Sequence, residues 1–265
     1  MTLFQIVVLA VVQGITEFLP ISSAGHLILI PRFLEWPDQG LGFDLAVHVG
    51  TLAAVVIYYR ADVARLIRDW IASLLARKPQ GESTLAWGII VATIPVGMVG
   101  LLVRDLVETS WRTPTLIAAT TIGFGLLLLI ADRRAGARGD HEMTWRDFLV
   151  IGCAQAISLV PGTSRSGITM TAGMLAGLSR QTAARFSFLL SIPVTALAGS
   201  LVVARIIVRD PTLDWTSVVL GAVLSAVTAF LCIHYFLKWL THFGMLPYVI
   251  YRLVLGAVVL AVLVV

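Results

Sequence analysis

Two short polar motifs interrupt the apolar runs of this chain, one around Pro20 and the other around Pro161. They read QGITEFLPISSAGH from Gln13 and QAISLVPGTSRSG from Gln155, so hydroxyl side chains follow the proline closely in both. Proline, glycine and serine tend to end or break helices. Irregular backbone at membrane depth is tolerated only where it lines a cavity inside the protein. The motifs therefore predict broken helices around a shared polar pocket.

The composition of the chain indicates a polytopic membrane protein. Hydrophobic residues make up 58% of it, charged residues only 13%, and the mean hydropathy is +0.93, which is more apolar than a soluble core requires. The net charge of +4 comes mainly from arginines between apolar segments, so it reflects topology and predicts no nucleic-acid partner. Cys153 and Cys232 lie in apolar runs and are expected to pack without a disulfide or a metal. The first basic residue is Arg32, so no secretory signal peptide is expected.

The apolar runs predict an all-α integral membrane protein with a single membrane domain over residues 1–265. A bilayer needs about 20 apolar residues per spanning helix. Six transmembrane helices are predicted at residues 43–60, 85–103, 115–131, 185–208, 215–238 and 245–265. The motif regions, residues 1–35 and 148–180, are each predicted to form a re-entrant helical hairpin.

The distribution of arginines predicts how these elements are inserted. Segments 60–84 and 132–147 are rich in arginine and are expected to be cytoplasmic loops. The halves 1–131 and 148–265 then each hold one hairpin and three spans, and because three is odd the second half is inserted upside down. Such an inverted-topology repeat brings broken helices together near the midplane, with helix N-termini facing an anion. The alternative is that proline and glycine merely kink ordinary spans.

The first motif offers groups for metal binding and for proton transfer. Gln13 and Glu17 are four residues apart and share a helix face, where their oxygens could hold Mg²⁺ or Ca²⁺ together with substrate phosphates. For Gln13 the alternative is a hydrogen bond between helices. Ser23 and His26 are three apart, which suits a nucleophile and its general base, whereas Ser22 suits an N-cap. Glu17 could orient His26, bind the metal or accept a proton, and these three roles stay open.

The second motif is suited to holding a phosphate. Arg165 carries a guanidinium, whose planar fork matches phosphate oxygens. The neighbouring small and hydroxyl residues can approach an oxyanion and donate to it; they are Gly162, Thr163, Ser164 and Ser166. Ser22 of the first motif is also expected to contact the phosphate. A helix that starts just after Pro161 would add the positive end of its dipole. Outside the motifs, His48 is predicted to make an interhelical hydrogen bond rather than to act as a ligand.

At both motifs the chain resembles the undecaprenyl-diphosphate phosphatase family, bacterial inner-membrane proteins that are also called the bacitracin-resistance family. The resemblance covers essentially the full length, including a further stretch at residues 177–193. The family signature opens with Glu or Gln, so Gln13 would be a neutral ligand here. Arg185 lies in the further stretch, and no chemistry is expected of it.

The resemblance implies a reaction and a place for it. Undecaprenyl diphosphate would be hydrolysed to undecaprenyl phosphate and inorganic phosphate at the periplasmic or exterior face, assisted by Mg²⁺ or Ca²⁺. This recycles the lipid carrier for peptidoglycan synthesis and confers bacitracin resistance. The implied catalytic residues are Glu17, Ser23, His26 and Arg165. Attack by Ser23 is favoured over attack by an activated water, and both remain open.

A transporter or flippase for polyprenyl phosphate is the alternative interpretation, because inverted repeats with broken helices are typical of alternating access. Such a carrier would need Arg165 for its cargo but has no evident need for a Ser23 and His26 pair. In both cases the expected partners are a polyprenyl phosphate lipid and the bilayer. The oligomeric state stays open, with a homodimer among the options.

Overall fold

The structure is a computed structural model that describes the backbone of residues 1–109, 111, 113–209 and 214–264. Side chains are described for all of these except residues 104, 105, 108, 109, 201–209, 263 and 264. In this part of the chain eleven α-helices follow one another: α1 Leu3–Thr16, α2 Ser23–Phe33, α3 Gly40–Tyr58, α4 Arg60–Ala76, α5 Ser83–Thr109, α6 Pro114–Arg133, α7 Trp145–Ala156, α8 Arg165–Leu175, α9 Arg180–Arg209, α10 Trp215–Phe243 and α11 Leu246–Val264. The predicted all-α class is confirmed.

Five of these helices are long and apolar enough to cross a bilayer, and each overlaps a predicted span. Their spanning segments are Gly40–Tyr58, Ser83–Val103, Pro114–Arg133, Arg180–Ser200 and Trp215–Phe243. The sixth predicted span corresponds to α11, of which Leu246–Val262 is apolar but shorter. Large apolar side chains are exposed along these helices, as a lipid-facing surface requires. The chain is a multi-pass membrane protein.

Both motif regions form a helix, a break and a second helix. α1 and α2 flank the break at Pro20, and α7 and α8 flank the break at Pro161. Each second helix is capped by a serine with positive φ, 74° at Ser22 and 72° at Ser164, a conformation that costs free energy for residues other than glycine. Both serine hydroxyls accept a hydrogen bond from the backbone N–H of the glycine three residues on. The two breaks therefore share one capping geometry.

Glycines let the first helix of each motif pack closely on a helix of the other half of the chain. A Cβ on Gly14 of α1 would lie 2.6 Å from the Thr228 Cβ on α10. A Cβ on Gly152 of α7 would lie 2.6 Å from the Ala92 Cα on α5. Each broken helix therefore packs closely against a helix from the other half of the chain.

The predicted loop 60–84 is not a loop throughout, because α4 occupies most of it. α4 buries Leu66, Asp69 and Ser73, which recur with the period of a helix, and exposes its arginines. The many charged residues on the exposed face of α4 made this amphipathic helix resemble a polar loop in the sequence.

Arg185 joins the two arginine-rich segments. Its guanidinium donates to Asp62 at 2.6 Å and also pairs with Asp140. Asp62 belongs to segment 60–84 and Asp140 to segment 132–147, so both segments lie at one end of the molecule. Arg185 thus has a structural role in linking the two segments.

Candidate active site

Glu17 is the residue at which the two motifs meet. Its Oε1 accepts a hydrogen bond from Arg165 Nη2 at 2.7 Å, although the two residues come from opposite halves of the chain. Its Oε2 accepts from Ser23 Oγ at 2.7 Å and from Gln13 Nε2 at 3.0 Å. The Glu17 side chain is only 9% exposed, so these donors replace the water that a buried carboxylate needs. The intramembrane charges of Glu17 and Arg165 are therefore each other's partners.

A polar cavity of about 160 Å³ opens beside this contact. That is several times the share of roughly 30 Å³ that one water molecule takes in the liquid, so a phosphate group has room there. The lining residues come from both motifs and from α3: Glu17, Ser22, Ser23, Ala24, His48, Ser158, Val160, Pro161, Gly162, Ser164 and Arg165. We call this space the Glu17 cavity.

Three of the predicted phosphate contacts besides Arg165 line the Glu17 cavity, and two do not. Ser22, Gly162 and Ser164 line it. Ser166 instead donates to the Leu19 carbonyl at 2.9 Å, which ties the second motif to the first. Thr163 is fully buried and its hydroxyl has no hydrogen-bond partner among the described residues. Spacing alone could not separate these groups, because the positive φ at Ser164 redirects the chain at this point.

His26 does not hydrogen-bond to Ser23 or to Glu17. Its Nδ1 lies 2.7 Å from the Ser22 carbonyl, which can only accept, so Nδ1 carries the proton and Nε2 accepts from the Tyr251 hydroxyl at 2.6 Å. The His26 ring faces a different, mainly apolar cavity that Tyr251 also lines. Ser23 and His26 therefore do not form a hydrogen-bonded pair of nucleophile and base in this geometry. Ser23 is the first residue of α2 and reaches Glu17, whereas the His26 ring turns to α11.

Comparison with known proteins places the chain in a family. The family described as Bacitracin resistance protein BacA matches residues 6–258. The chain belongs to the BacA family. It is 57% identical to Undecaprenyl-diphosphatase 2 of Stutzerimonas stutzeri and 55% identical to Undecaprenyl-diphosphatase of Thioalkalivibrio sulfidiphilus, in both cases over 98% of each chain. It is 53% identical to Undecaprenyl-diphosphatase of Nitrosococcus oceani over 97% of each chain.

His48 lines the Glu17 cavity, a position that the sequence did not predict. Its Nδ1 donates to the Asp44 carbonyl at 2.7 Å within α3, so the predicted interhelical hydrogen bond is wrong. Its Nε2 lies 3.7 Å from Glu17 Oε2 and the ring lines the Glu17 cavity. The sequence did hold a sign of this position. Asp44 and His48 are two polar residues four apart at an apolar span, so their side chains lie on one helix face.

The predicted ligands for a divalent cation, Gln13 and Glu17, are one amide and one carboxylate. Gln13 Oε1 is buried and has no hydrogen-bond partner among the described residues, so one oxygen ligand is free. Both Glu17 oxygens already accept hydrogen bonds from protein groups. No cluster of three or more His, Cys, Asp or Glu suited to a metal occurs in the described part of the chain. These residues fit Mg²⁺ or Ca²⁺ only together with oxygens that a substrate brings.

Proposed function

We propose that this protein hydrolyses undecaprenyl diphosphate to undecaprenyl phosphate and inorganic phosphate. The observation that carries the proposal is the contact of Glu17 with Arg165 and Ser23 beside a polar cavity inside a membrane protein. The names of the relatives, which are undecaprenyl-diphosphatases, supply the substrate and the reaction. None of these names supports the flippase alternative. The product would return to peptidoglycan synthesis, and the family description names bacitracin resistance.

The geometry favours Ser23 as the nucleophile and Glu17 as its proton acceptor. Ser23 Oγ already donates to Glu17 Oε2, so the proton passes to Glu17 as Oγ attacks the terminal phosphorus. The bond from that phosphorus to the bridging oxygen breaks, undecaprenyl phosphate leaves, and water then hydrolyses the phosphoserine. For direct attack by water, Glu17 would accept the proton of the water instead. His26 can serve as a base only after its Nε2 releases the Tyr251 hydroxyl.

Arg165 supplies the charge that holds the diphosphate. Its guanidinium donates to Glu17 and to the Ser187 carbonyl at 3.3 Å, and the substrate phosphates would compete with Glu17 for it. Donors aimed at the transferring phosphoryl group stabilise the charge that develops there. α8 begins at Arg165, so the positive end of its dipole would add to the attraction for the phosphates.

We propose that Mg²⁺ or Ca²⁺ binds with the substrate, with Gln13 and Glu17 as its protein ligands. The unpartnered Gln13 oxygen beside Glu17 supports this assignment. When bound, the ion would neutralise phosphate charge.

Phosphate release from undecaprenyl diphosphate by the purified protein in detergent tests the function. We expect release in Mg²⁺ or Ca²⁺, loss of release in EDTA, and recovery when the cation is restored. Undecaprenyl phosphate serves as the control substrate and is expected to release none. If purified, folded protein releases no phosphate under any of these conditions, the assignment is overturned. Full activity in EDTA would contradict only the proposed role of the cation.

We propose that six transmembrane helices and two re-entrant hairpins form an inverted-topology repeat in the bacterial inner membrane. The packing supports this, because α1 contacts α10 while its counterpart α7 contacts α5, and α6 contacts α11. The Glu17 cavity adjoins a vestibule of about 450 Å³ that shares Ala24 and His48 and extends to Asp38. Asp38 precedes α3, whereas the arginine-rich end follows it, so the vestibule would open to the periplasm.

Labelling of single cysteines tests this orientation in cells. In a chain with Cys153 and Cys232 replaced by serine, we expect Asp38→Cys to react with a membrane-impermeant maleimide from the periplasm. Arg134→Cys, which is exposed in the arginine-rich segment, is expected to react only after the inner membrane is opened. The reverse pattern would invert the proposed topology.

A further inference from the structure

Arg252 on α11 is fully buried and is the largest such side chain among the described residues. Its guanidinium has five N–H groups, and each can be matched with a backbone carbonyl. The acceptors are Pro20 at 3.1 Å, Thr120 at 3.4 Å, Thr121 at 3.0 Å, Gly162 at 2.9 Å and Thr163 at 3.0 Å. Every donor of this side chain is thus used on the main chain.

The five carbonyls belong to three separate segments, two of which are the motif loops that line the Glu17 cavity. Pro20 lies in the loop of the first motif, and Gly162 and Thr163 lie in the loop of the second. The remaining two belong to α6, which also holds the second loop through a hydrogen bond of 2.6 Å from Thr120 Oγ1 to the Pro161 carbonyl. One side chain therefore fixes both motif loops relative to each other.

Two glycines leave space for the Arg252 side chain. A Cβ on Gly125 of α6 would lie 3.2 Å from the Arg252 Cβ. A Cβ on Gly167 of α8 would lie 3.1 Å from Arg252 Nη1. Both distances are shorter than ordinary van der Waals contact between such atoms, so side chains at these positions would displace the arginine.

The charge of Arg252 has no acidic partner among the described residues. Arg165, Arg138, Arg180 and Arg185 all pair with a carboxylate, whereas Arg252 contacts only carbonyl oxygens. A charge at membrane depth is costly, and ionisable residues there mark functional sites. A buried polar group kept only for packing could be replaced by an apolar side chain of similar volume.

We infer that Arg252 is a positioning residue for phosphate binding. Its five hydrogen bonds hold the loops that carry Ser23 and Arg165 around one cavity. Its uncompensated positive charge lies behind the N-termini of α2 and α8 and raises the affinity of the cavity for an anion. The inference rests on the proposed function for its substrate, but pyrophosphate binding alone can test it.

The experiment compares Arg252→Lys with Arg252→Met in purified full-length protein. Lysine keeps the charge but cannot make five directed hydrogen bonds, so we expect kcat to fall about 10- to 100-fold while KM stays near wild type. Methionine removes both, so we expect a similar fall in kcat and weaker binding of inorganic pyrophosphate by calorimetry, by about tenfold or more. A purely structural role would lower the melting temperature but leave kcat, KM and pyrophosphate affinity of the folded protein unchanged.

A second pair of variants covers the case in which Arg252→Met does not fold. Gly125→Ala crowds the Arg252 stem without removing its charge, and Gly123→Ala on the same helix meets nothing within 4 Å. We expect Gly125→Ala to lower kcat several-fold by displacing the guanidinium, and Gly123→Ala to leave it unchanged. Equal kcat, KM and pyrophosphate affinity in wild type, Gly125→Ala and Arg252→Lys would overturn the inference. If wild type binds pyrophosphate but hydrolyses no lipid, the proposed function fails, and the affinities of the variants still decide the role of Arg252.

Discussion

Arg165→Ala is expected to lower kcat/KM for undecaprenyl diphosphate by about a thousand-fold. Arg165 is the one guanidinium among the described residues that line the Glu17 cavity, and no neighbour can replace its donors. Losing a single preorganised donor to a developing charge costs about 10²–10³ in rate, and a catalytic arginine can be worth more. The kcat/KM of Arg165→Lys is expected to lie between those of wild type and Arg165→Ala, because lysine keeps the charge but not the planar fork. Initial rates of phosphate release across substrate concentrations measure these losses.

The control must separate chemistry from folding, because Arg165→Ala leaves Glu17 buried without its cation. Breaking a buried pair by removing one partner can cost about 3–5 kcal/mol of stability. The double variant Arg165→Ala with Glu17→Gln removes that charge, so it should regain stability without regaining activity. Arg180→Lys changes another arginine that pairs with a carboxylate, Asp132, outside the cavity and should keep wild-type activity. Folded Arg165→Ala that turns over within tenfold of wild type would exclude Arg165 from phosphate binding.

Local sequence predicted the helix breaks because their causes are local. Pro20 and Pro161 cannot continue an ordinary helix, and serines just beyond them supply caps for the next one. The contact of Glu17 with Arg165 was also within reach, because two intramembrane charges in similar motifs need partners. The positive φ at Ser22 and Ser164, which sets the direction of each new helix, could not be predicted from the sequence.

Side-chain partners across helices were the part that sequence could not determine. Ser23 and His26 share a helix, yet Ser23 turns to α1 and His26 to α11, because each finds its hydrogen-bond partner on a different neighbour. Spacing along a helix fixes a face only to within the width of a side chain. Tyr251 contacts the first motif and Arg252 contacts both, yet they stand in a predicted span with no motif of its own. The sequence marks Arg252 only as a charged residue inside an apolar run. Its five hydrogen-bond partners are backbone carbonyls, which side-chain patterns do not predict.

Ser23→Ala is expected to lower kcat by about a thousand-fold or more, with a smaller change in KM. Ser23 Oγ is half-buried, lines the Glu17 cavity and already has its proton directed at Glu17 Oε2 at 2.7 Å. A positioned nucleophile with its base accounts for a large part of the rate in enzymes that use one. If an activated water attacks instead, Ser23 contributes only one hydrogen bond to Glu17, and its loss should cost about tenfold. The size of the fall in kcat therefore separates the two courses.

Trapping the intermediate turns this difference into a direct observation. Wild-type protein quenched in acid during turnover should carry one phosphate on the peptide that contains Ser23, and Ser23→Ala should carry none there. Ser200→Ala is a matched control, because the Ser200 hydroxyl bonds only to the Leu197 carbonyl of its own helix and should leave the rate and the phosphopeptide unchanged. Glu17→Gln keeps a hydrogen-bonding group at the same place but cannot take the proton, so it should slow both formation and hydrolysis of the phosphoserine. A loss of only about tenfold or less in Ser23→Ala, with no phosphopeptide in the wild type, would instead assign the attack to water, with Glu17 as its base.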